Sequence, residues 1–334
     1  MSESIDFSNC PINPLKWFDG ANGNKISISY QGDDYMLKFA PHKQKDAAQP
    51  YTNSCISEYL SCHILQSIGL NSQDTLLGTY KGKQVVACKD FTTSDSRLQS
   101  FATLKNAAVD GASSGYGTEL EEVLSTIESQ NVFPSEDLLA FFWDTFVADA
   151  FLGNFDRHNG NWGFLVYPST QLIKLAPIYD CGSCLYPQLT EAGRAEVLAN
   201  PAMVHDRVFV FPNSALKLHS KKINYFNFLT TTENEDCLQA ITRIVPKIDL
   251  QIISEIINST PSLTDTDRTF YSYMLTQRYE QILLPALERA HDLIKENDLS
   301  LMQRCARAKK EASALNADAS RMECSLLNQD QILS

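Results

Sequence analysis

The sequence predicts a two-lobed α+β fold, in which a small, β-rich N-terminal lobe (residues 1–92) precedes a larger, mainly helical C-terminal lobe (residues 93–310). The chain has 334 residues, enough for about two domains that each bury a core. Short apolar runs bounded by turn residues characterise the first lobe, and helical periodicity dominates the second. The polar, alanine-rich end of the chain (residues 311–334) is predicted to be a frayed or disordered tail.

A segment rich in asparagine and glycine, residues 19–25, is the first informative element of the N-terminal lobe. Glycine and asparagine tolerate positive φ, so consecutive backbone N–H groups can converge on an anion. An ordinary hairpin turn is the alternative interpretation. The residues expected at such an anion site are Gly20, Asn22, Gly23 and Lys25.

Two residues of opposite charge follow, one on a predicted strand and one on a predicted helix. Residues 35–39 read as a short strand that carries Lys38 inside an apolar run. Apolar residues then recur at helical spacing around Glu58, after an N-cap at Asn53 or Ser54. From the residues alone, a solvated lysine and a pair between strand and helix are both open interpretations of Lys38.

The C-terminal lobe is predicted to be helical from its caps and periodicity. Thr118 and Glu121 form a capping-box pattern after a flexible loop over residues 105–117. Ser135 is expected to cap a strongly apolar helix that ends at Gly153. Further helices are predicted within residues 238–258 and 265–295, with an interruption at Pro285.

The most specific pattern follows the apolar helix: GNFDRHNGNWG (153–163) and then LAPIYD (175–180). It places Asp156, then Asn161, and then Asp180 beyond two short strands joined by a tight turn. At ~3.3 Å per residue the first strand runs out and the second runs back, so Asn161 and Asp180 can share a metal ion. Phosphoryl transfer from ATP requires such groups, a carboxylate to take a hydroxyl proton and oxygen ligands for Mg²⁺. A capped helix end with acidic turn residues is the alternative.

This pattern resembles the catalytic loop of the HipA-like kinases, which carry Asp-Arg-His-x-x-Asn at this place. The resemblance implies a protein-kinase-like fold and an autophosphorylating serine/threonine protein kinase that uses ATP and Mg²⁺. It makes Asp156 the catalytic base, adds His158 as a catalytic-loop residue that either takes part or braces the loop, and assigns the metal to Asn161 and Asp180. Because the predicted phosphate loop begins near residue 20, the chain resembles the short, stand-alone members of the family.

The same resemblance gives ATP-binding roles to the N-terminal lobe. Lys38 is expected to bind the α- and β-phosphates with Glu58 as its partner. Residues 19–25 match the short phosphate loop of the family, with Lys25 at the position of the loop lysine.

A hinge between the lobes is expected at the end of a strand over residues 83–91. Lys89 and Phe91 match the hinge positions of the family, where backbone groups meet the adenine base. Phe91 as a plain core aromatic is the alternative.

Net charge, hydropathy and cysteine content limit the partners and the compartments that the sequence predicts. A net charge of −12 argues against direct DNA binding, although Lys217, Lys221 and Lys222 could form a local basic patch. No run approaches the ~20 apolar residues of a membrane span, and the N-terminus lacks the features of a secretory signal. Nine scattered cysteines suit a reducing compartment. We expect a cytoplasmic protein with no membrane partner, compatible with export by another route as a toxin or effector.

Other functions stay open from the residues alone. The chain could phosphorylate a small molecule or lipid instead of a protein, or it could bind nucleotide as a regulator without turnover. The Cys181-x-x-Cys184 spacing is also found in redox and zinc sites, but no second ligand pair lies near it. A plain turn after Asp180 is therefore favoured for this segment.

Overall fold

The computed structural model describes residues 5–16, 25–40, 53–108, 115–297, 299 and 303–304. The chain forms two compact units, Met1–Leu287 and Glu288–Ser334. In the second unit, residues 288–297 are helical. The predicted tail over residues 311–334 lies outside the described residues.

A five-stranded sheet with the order β1-β4-β5-β3-β2 forms the N-terminal part of the first unit. All of its neighbouring strands are antiparallel except β1, which runs parallel to β4. The strands are β1 (Ile5–Asp6), β2 (Lys25–Tyr30), β3 (Asp33–Phe39), β4 (Thr75–Tyr80) and β5 (Lys83–Lys89). Alternate residues of the strands point into one apolar core, which includes Phe7, Ile28, Leu37, Val85 and Ala87.

One helix, α1 (Ser54–Ser67), connects β3 to β4 and packs on β4 and β5. Leu60, Ile64 and Leu65 are fully buried on this helix, as their helical spacing predicts. Asn53 stands at the N-cap position, but its side chain donates to the Leu189 carbonyl, at 2.7 Å, instead of capping the helix. The sheet and α1 together hold Lys38 and Glu58 on facing elements.

The C-terminal part of the first unit is mainly helical. Its first strands form a three-stranded antiparallel sheet in the order β6-β7-β8, and β9 and β10 form a separate hairpin. The strands are β6 (Arg97–Ser100), β7 (Gly163–Tyr167), β8 (Leu172–Leu175), β9 (Asn213–Leu218) and β10 (Lys221–Asn224). The helices are α2 (Phe101–Ala108), α3 (Leu120–Ser129), α4 (Ser135–Leu152), α5 (Glu191–Ala199), α6 (Pro201–His205), α7 (Tyr225–Thr231), α8 (Glu235–Ile244), α9 (Leu250–Ser259) and α10 (Asp265–Arg278). Short segments of other helix types are Asp206–Val210 and Tyr279–Leu283 (π) and Val245–Lys247 (3₁₀).

The central helix α4 is buried almost on every side, and it leads directly into the predicted catalytic loop. Trp143 stacks on Phe228 of α7 with 5.9 Å between ring centroids. Phe142 contacts Trp162, just after the loop, at 5.8 Å. The helix ends at Gly153, whose φ of 67° is a left-handed conformation that favours glycine. The loop therefore starts from a rigid, fully packed element.

Some predicted helix boundaries are wrong. Thr118 does not cap α3, because its carbonyl accepts a hydrogen bond from the Lys217 N–H (2.8 Å) and Glu119 bridges to the same strand. The segment is thus extended against β9, and the helix begins at Leu120. The predicted loop over residues 105–117 loses its first residues to α2, which extends to Ala108. Ser135 is the first residue of α4 and not its cap.

Pro285 lies within helical residues and does not interrupt the helix at its own position. Proline cannot donate the backbone hydrogen bond of a regular helix. The chain accommodates this one turn earlier, where Tyr279–Leu283 is π-helical.

The predicted α+β class, with a small N-terminal sheet and a mainly helical C-terminal part, is confirmed. The division into lobes at residue 92 stays a prediction. In the described part of the chain, no helix combines the length and apolar character that crossing a membrane requires.

Candidate active site

Lys38 lies at the centre of an ion cluster that joins three elements. From β3, its Nζ is 3.0 Å from Glu58 Oε2 on α1 and 2.9 Å from Asp180 Oδ1 in the loop after β8. The side chains of Lys38 and Glu58 are 15% and 1% exposed, whereas that of Asp180 is 46% exposed. One carboxylate is thus sealed into the protein, and the other faces the solvent.

The electrostatics of the cluster keep Asp180 ionised. The Lys38 cation is the main cause that lowers the pKa of Asp180 to about 2. Burial lowers the pKa of Lys38, but the Asp180 and Glu58 carboxylates outweigh it and raise that pKa well above the usual value. Asp180 also adopts φ 58°, a left-handed conformation that is uncommon for residues with a side chain. The ion pair holds this conformation in place.

Lys25 brings a second cation close to the cluster. It is the register partner of Lys38 across β2 and β3. Burial and the neighbouring Lys38 cation lower the pKa of Lys25. The structure places Lys25 at the start of a strand, beside the predicted phosphate loop. The loop residues Gly20, Asn22 and Gly23 lie outside the described residues.

Asp156 and Asn161 are joined by hydrogen bonds within one tight loop. The Asp156 N–H donates to Asn154 Oδ1 (3.0 Å), and Asn161 Nδ2 donates to the Asp156 carbonyl (2.9 Å). With Nδ2 engaged in this bond, Oδ1 is the acceptor atom that the Asn161 amide has left to offer. Burial raises the pKa of the Asp156 carboxyl, and the nearby Asp180 charge acts in the same direction.

Arg157 fixes the catalytic loop from behind, a role that sequence reasoning missed. Its guanidinium donates through Nε to Asp149 Oδ2 on α4 (2.9 Å) and through Nη1 to the Asn161 carbonyl (2.9 Å). Nη1 also donates to the Tyr179 carbonyl, directly before Asp180. A single buried side chain thereby links α4, the loop of Asn161 and the segment that leads to Asp180. The sequence gives no local signal for this role, because Asp149 is one of four acidic residues of α4.

His158 and its neighbours shape the turn of the loop. His158 Nδ1 accepts from the Gly160 N–H (3.0 Å), so a neutral ring carries its proton on Nε2. The Asn159 side chain donates to the carbonyls of Gly115 (2.9 Å) and Gly117 (2.8 Å). His158 thus has the contacts of a brace, and its catalytic role stays a prediction.

The hinge residues Lys89 and Phe91 differ in what they offer. Both backbone groups of Lys89 are engaged: its N–H donates to the Asp74 carbonyl (2.8 Å), and its carbonyl accepts from Gln73 Nε2 (2.9 Å). The Lys89 side chain forms an ion pair with Asp33, at 2.8 Å. Phe91 instead contacts Tyr179 (5.8 Å between ring centroids). The backbone of Lys89 is thus engaged within the protein, whereas the Phe91 ring packs beside Tyr179, the residue before Asp180.

The turn after Asp180 packs against α1. The Cys181 N–H donates to Glu58 Oε1 (3.1 Å), and a Cβ added at Gly182 would lie 3.2 Å from Glu58 Oε2. Cys181 and Cys184 are buried free cysteines. Among the described residues, no group of three or more His, Cys, Asp or Glu side chains could hold a metal ion. The hydrogen bond of Cys181 and the close approach of Gly182 make this segment a turn that packs on α1.

Together these residues provide the groups that phosphoryl transfer needs. Asp156 is a carboxylate that can accept a proton, Asn161 and Asp180 present oxygen atoms, and Lys38 is a fixed cation. Mg²⁺ is typically bound by one or two carboxylates together with substrate phosphates and water.

The chain is similar to known proteins in both sequence and structure. Residues 19–259 match the family model of the HipA-like C-terminal domain. The chain is 50% identical over 291 residues to the serine/threonine-protein kinase CtkA of Helicobacter pylori (strain J99), covering 87% of this chain and 90% of the relative. Among solved structures it is similar to a crystal structure of a Helicobacter pylori proinflammatory kinase CtkA. The TM-score is 0.84 at 49% identity, over 87% of this chain and 99% of that one. The HipA–HipB–operator DNA complex of Shewanella oneidensis matches at TM-score 0.47 and 15% identity, over 85% of this chain and 69% of the matched chain.

Proposed function

The chain belongs to the HipA-like family of serine/threonine kinases, and from this membership and the site geometry we propose an ATP- and Mg²⁺-dependent serine/threonine protein kinase that also phosphorylates itself. The observation that carries the proposal is the position of Lys38 Nζ, 3.0 Å from Glu58 and 2.9 Å from Asp180. Ionisable groups whose pKa values are shifted by burial and by specific charge partners are concentrated at functional sites, and the pKa values of Lys38 and Asp180 are shifted in this way.

Lys38 and Lys25 would bind the phosphates of ATP. Lys38 is held by Glu58, so its ammonium group is already oriented before the nucleotide arrives. Adenine would meet the backbone groups of Phe91, since those of Lys89 are engaged in the protein. The Phe91 ring, close to Tyr179, would form part of the wall of the base pocket.

Asn161 and Asp180 would hold Mg²⁺ through oxygen atoms. Asn161 offers Oδ1, because its Nδ2 is engaged by the Asp156 carbonyl. Asp180 uses Oδ1 for Lys38, which leaves Oδ2 for the metal, and its low pKa keeps it ionised. When bound, the metal neutralises charge on the phosphates.

Asp156 would orient the acceptor hydroxyl of a serine or threonine and take its proton. The hydroxyl oxygen then forms a bond to the γ-phosphorus, and the bond from this phosphorus to the bridging oxygen breaks. The negative charge left on the β-phosphate of ADP is stabilised by Lys38. Arg157 would hold Asn161 and the loop that carries Asp180 in place during this step, through its hydrogen bonds to the Asn161 and Tyr179 carbonyls.

Transfer of label from γ-labelled ATP tests the proposal. Purified protein with Mg²⁺ is incubated alone, with a protein acceptor mixture, and with small-molecule and lipid acceptors, followed by mass spectrometry of each product. Phosphoserine or phosphothreonine on protein is the expected result. Label on small molecules or lipids alone contradicts the protein-kinase assignment, and bound ATP without any transfer indicates a nucleotide-binding regulator.

A further inference from the structure

The hairpin of β9 and β10 carries an exposed basic face beside the catalytic loop. Lys217 and Lys222 are register partners on the two strands, so their side chains lie next to each other on one face. Both are exposed, as is Lys221. The opposite face packs inward through Ser214, Leu216 and Ile223.

Stability does not explain this arrangement. Like charges on directly paired residues are destabilising, and no ion pair of the described residues includes any of the three lysines. The nearby Glu119 carboxylate accepts from the Ser220 N–H in the hairpin turn, at 3.2 Å. A net charge of −12 makes two adjacent unpaired lysines a local exception on the surface.

Hydrogen bonds tie this hairpin to the catalytic loop. The Lys217 N–H donates to the Thr118 carbonyl (2.8 Å), and the neighbouring Gly117 carbonyl accepts from the Asn159 side chain (2.8 Å). Lys222 is close enough for its charge to act on the Asp156 carboxyl. The basic face is therefore set within reach of a polypeptide whose hydroxyl is bound at Asp156.

Apolar side chains border the same region. Phe211 is 44% exposed and contacts Phe155, next to Asp156, with 5.7 Å between ring centroids. Val210 is 54% exposed. Asn224 of β10 donates to the Phe209 carbonyl (2.8 Å), and this bond holds the hairpin against the π-helical segment Asp206–Val210. Exposed apolar groups beside cations suit a peptide, which offers side chains of both kinds, better than a purely anionic polymer.

We propose that Lys217 and Lys222 bind acidic residues that flank the acceptor serine or threonine of the protein substrate. This inference rests on the kinase function proposed above and names its substrate class. The lysines are specificity-determining residues that act through substrate affinity, because they attract the flanking carboxylates and leave the transferred phosphoryl group to Lys38 and the metal ligands. The preference also weakens with ionic strength, as for any exposed charge pair.

Three synthetic peptides test the proposal. They share a central serine and differ only in its flanking residues, which are Glu, Gln or Lys. For the wild type, kcat/KM is expected to be about fivefold higher for the Glu peptide than for the Gln peptide, as two exposed charge contacts allow. The Lys217→Gln/Lys222→Gln variant should lose this difference through KM, and Lys217→Glu/Lys222→Glu should prefer the Lys peptide. Lys247→Gln removes an equally exposed lysine elsewhere and should keep the wild-type preference.

Direct binding separates this inference from the kinase assignment. The same peptides with serine replaced by alanine and a fluorescent label are titrated in the presence of ADP and Mg²⁺. Tighter binding of the Glu peptide by the wild type but not by the double Gln variant supports the proposal. Equal binding or equal kcat/KM for the three peptides contradicts it and leaves the kinase assignment standing. Absence of transfer to every peptide and to the chain itself contradicts the kinase assignment, whichever peptide binds.

Discussion

Two basic side chains, the half-buried Lys38 and the buried Arg157, meet carboxylates in opposite ways. Arg157 and its partner Asp149 are 8% and 2% exposed, and the donors of Arg157 are directed at protein acceptors. Lys38 instead shares its cation between Glu58, which is sealed, and Asp180, which is 46% exposed. Arg157 is therefore a structural clamp, whereas the Lys38 cluster keeps one carboxylate accessible to solvent.

The largest effect is expected at the open carboxylate. Asp180→Asn should lower kcat by about 10³-fold, because a metal-stabilised transition state accounts for several kcal/mol. The global fold should persist, since Lys38 keeps Glu58 as a partner. Single-turnover phosphoryl transfer and a thermal melt measure the two quantities. Unfolding of this variant would show that the Asp180 carboxylate is required for the stability of the fold.

Arg157→Met should show the reverse pattern, a loss of stability. Removing one partner of a buried ion pair leaves Asp149 uncompensated and costs about 3–5 kcal/mol of unfolding free energy. The matched control is Arg243→Met, which breaks a more exposed pair with Asp144 (2.6 Å, 37% and 16% exposed) and should cost less than about 1 kcal/mol. Urea unfolding of both variants checks this. Equal losses would contradict the role of Arg157 as a buried clamp.

The pH dependence distinguishes the two acids of the site. Burial raises the pKa of Asp156 above the ordinary 3.8, whereas the Lys38 cation lowers that of Asp180 to about 2. A general base must be ionised to accept a proton. The pH profile of kcat/KM should therefore have an acid limb, at a pH above 3.8, that reports protonation of Asp156.

The charge of Lys222 opposes the upward shift at Asp156, so Lys222→Gln should move the acid limb to higher pH. Profiles of kcat/KM for the Gln-flanked peptide measure the shift, and Lys247→Gln is the control. An acid limb at the same pH in both variants would show that the charge of Lys222 does not affect the pKa of Asp156.

The smallest effect is expected at Gly182, which packs on the sealed carboxylate. A methyl group there would lie 3.2 Å from Glu58 Oε2 and would displace the partner of Lys38 slightly. Gly182→Ala should raise the KM for ATP about threefold, or less than 1 kcal/mol. Gly193→Ala in α5 is the control, because alanine stabilises a helix interior by roughly 0.5–1 kcal/mol and the site is untouched. Unchanged KM in Gly182→Ala would show that Glu58 can shift without affecting Lys38.

The sequence was sufficient for residues whose chemistry is written in a local pattern. Asp156 and Asn161 share one loop, and Asp180 ends the hairpin that follows it, so their meeting needed only strand geometry. Lys38 and Glu58 were found because a strand lysine and a helix glutamate occurred in a recognisable order. The interpretation of the Asp180 turn followed from the missing ligands around Cys181 and Cys184.

Long-range contacts explain what the sequence could not supply. Asp149 reads as an ordinary residue of a core helix until Arg157 is folded back onto it. Thr118 has the pattern of a helix cap, but a strand from a distant part of the chain takes its carbonyl. The backbone N–H and carbonyl of Lys89 are bonded to Asp74 and Gln73, which lie between α1 and β4. The sequence around Lys89 does not indicate these hydrogen bonds. Register and tertiary partners decide such details, and neither has a local signature.

The proposed mechanism makes Asp156 the base of a phosphoryl-transfer site assembled around Lys38 and Asp180. The most direct test compares wild type with Asp156→Asn in single-turnover transfer from γ-labelled ATP, with nucleotide affinity measured on the same samples. The raised pKa means that ionised Asp156 is unfavourable in the folded protein, so the asparagine variant should be no less stable at neutral pH. We predict unchanged ATP affinity and a transfer rate lower by about 10²–10⁴-fold. Phosphoryl transfer by Asp156→Asn at the wild-type rate would contradict the assignment of Asp156 as the base.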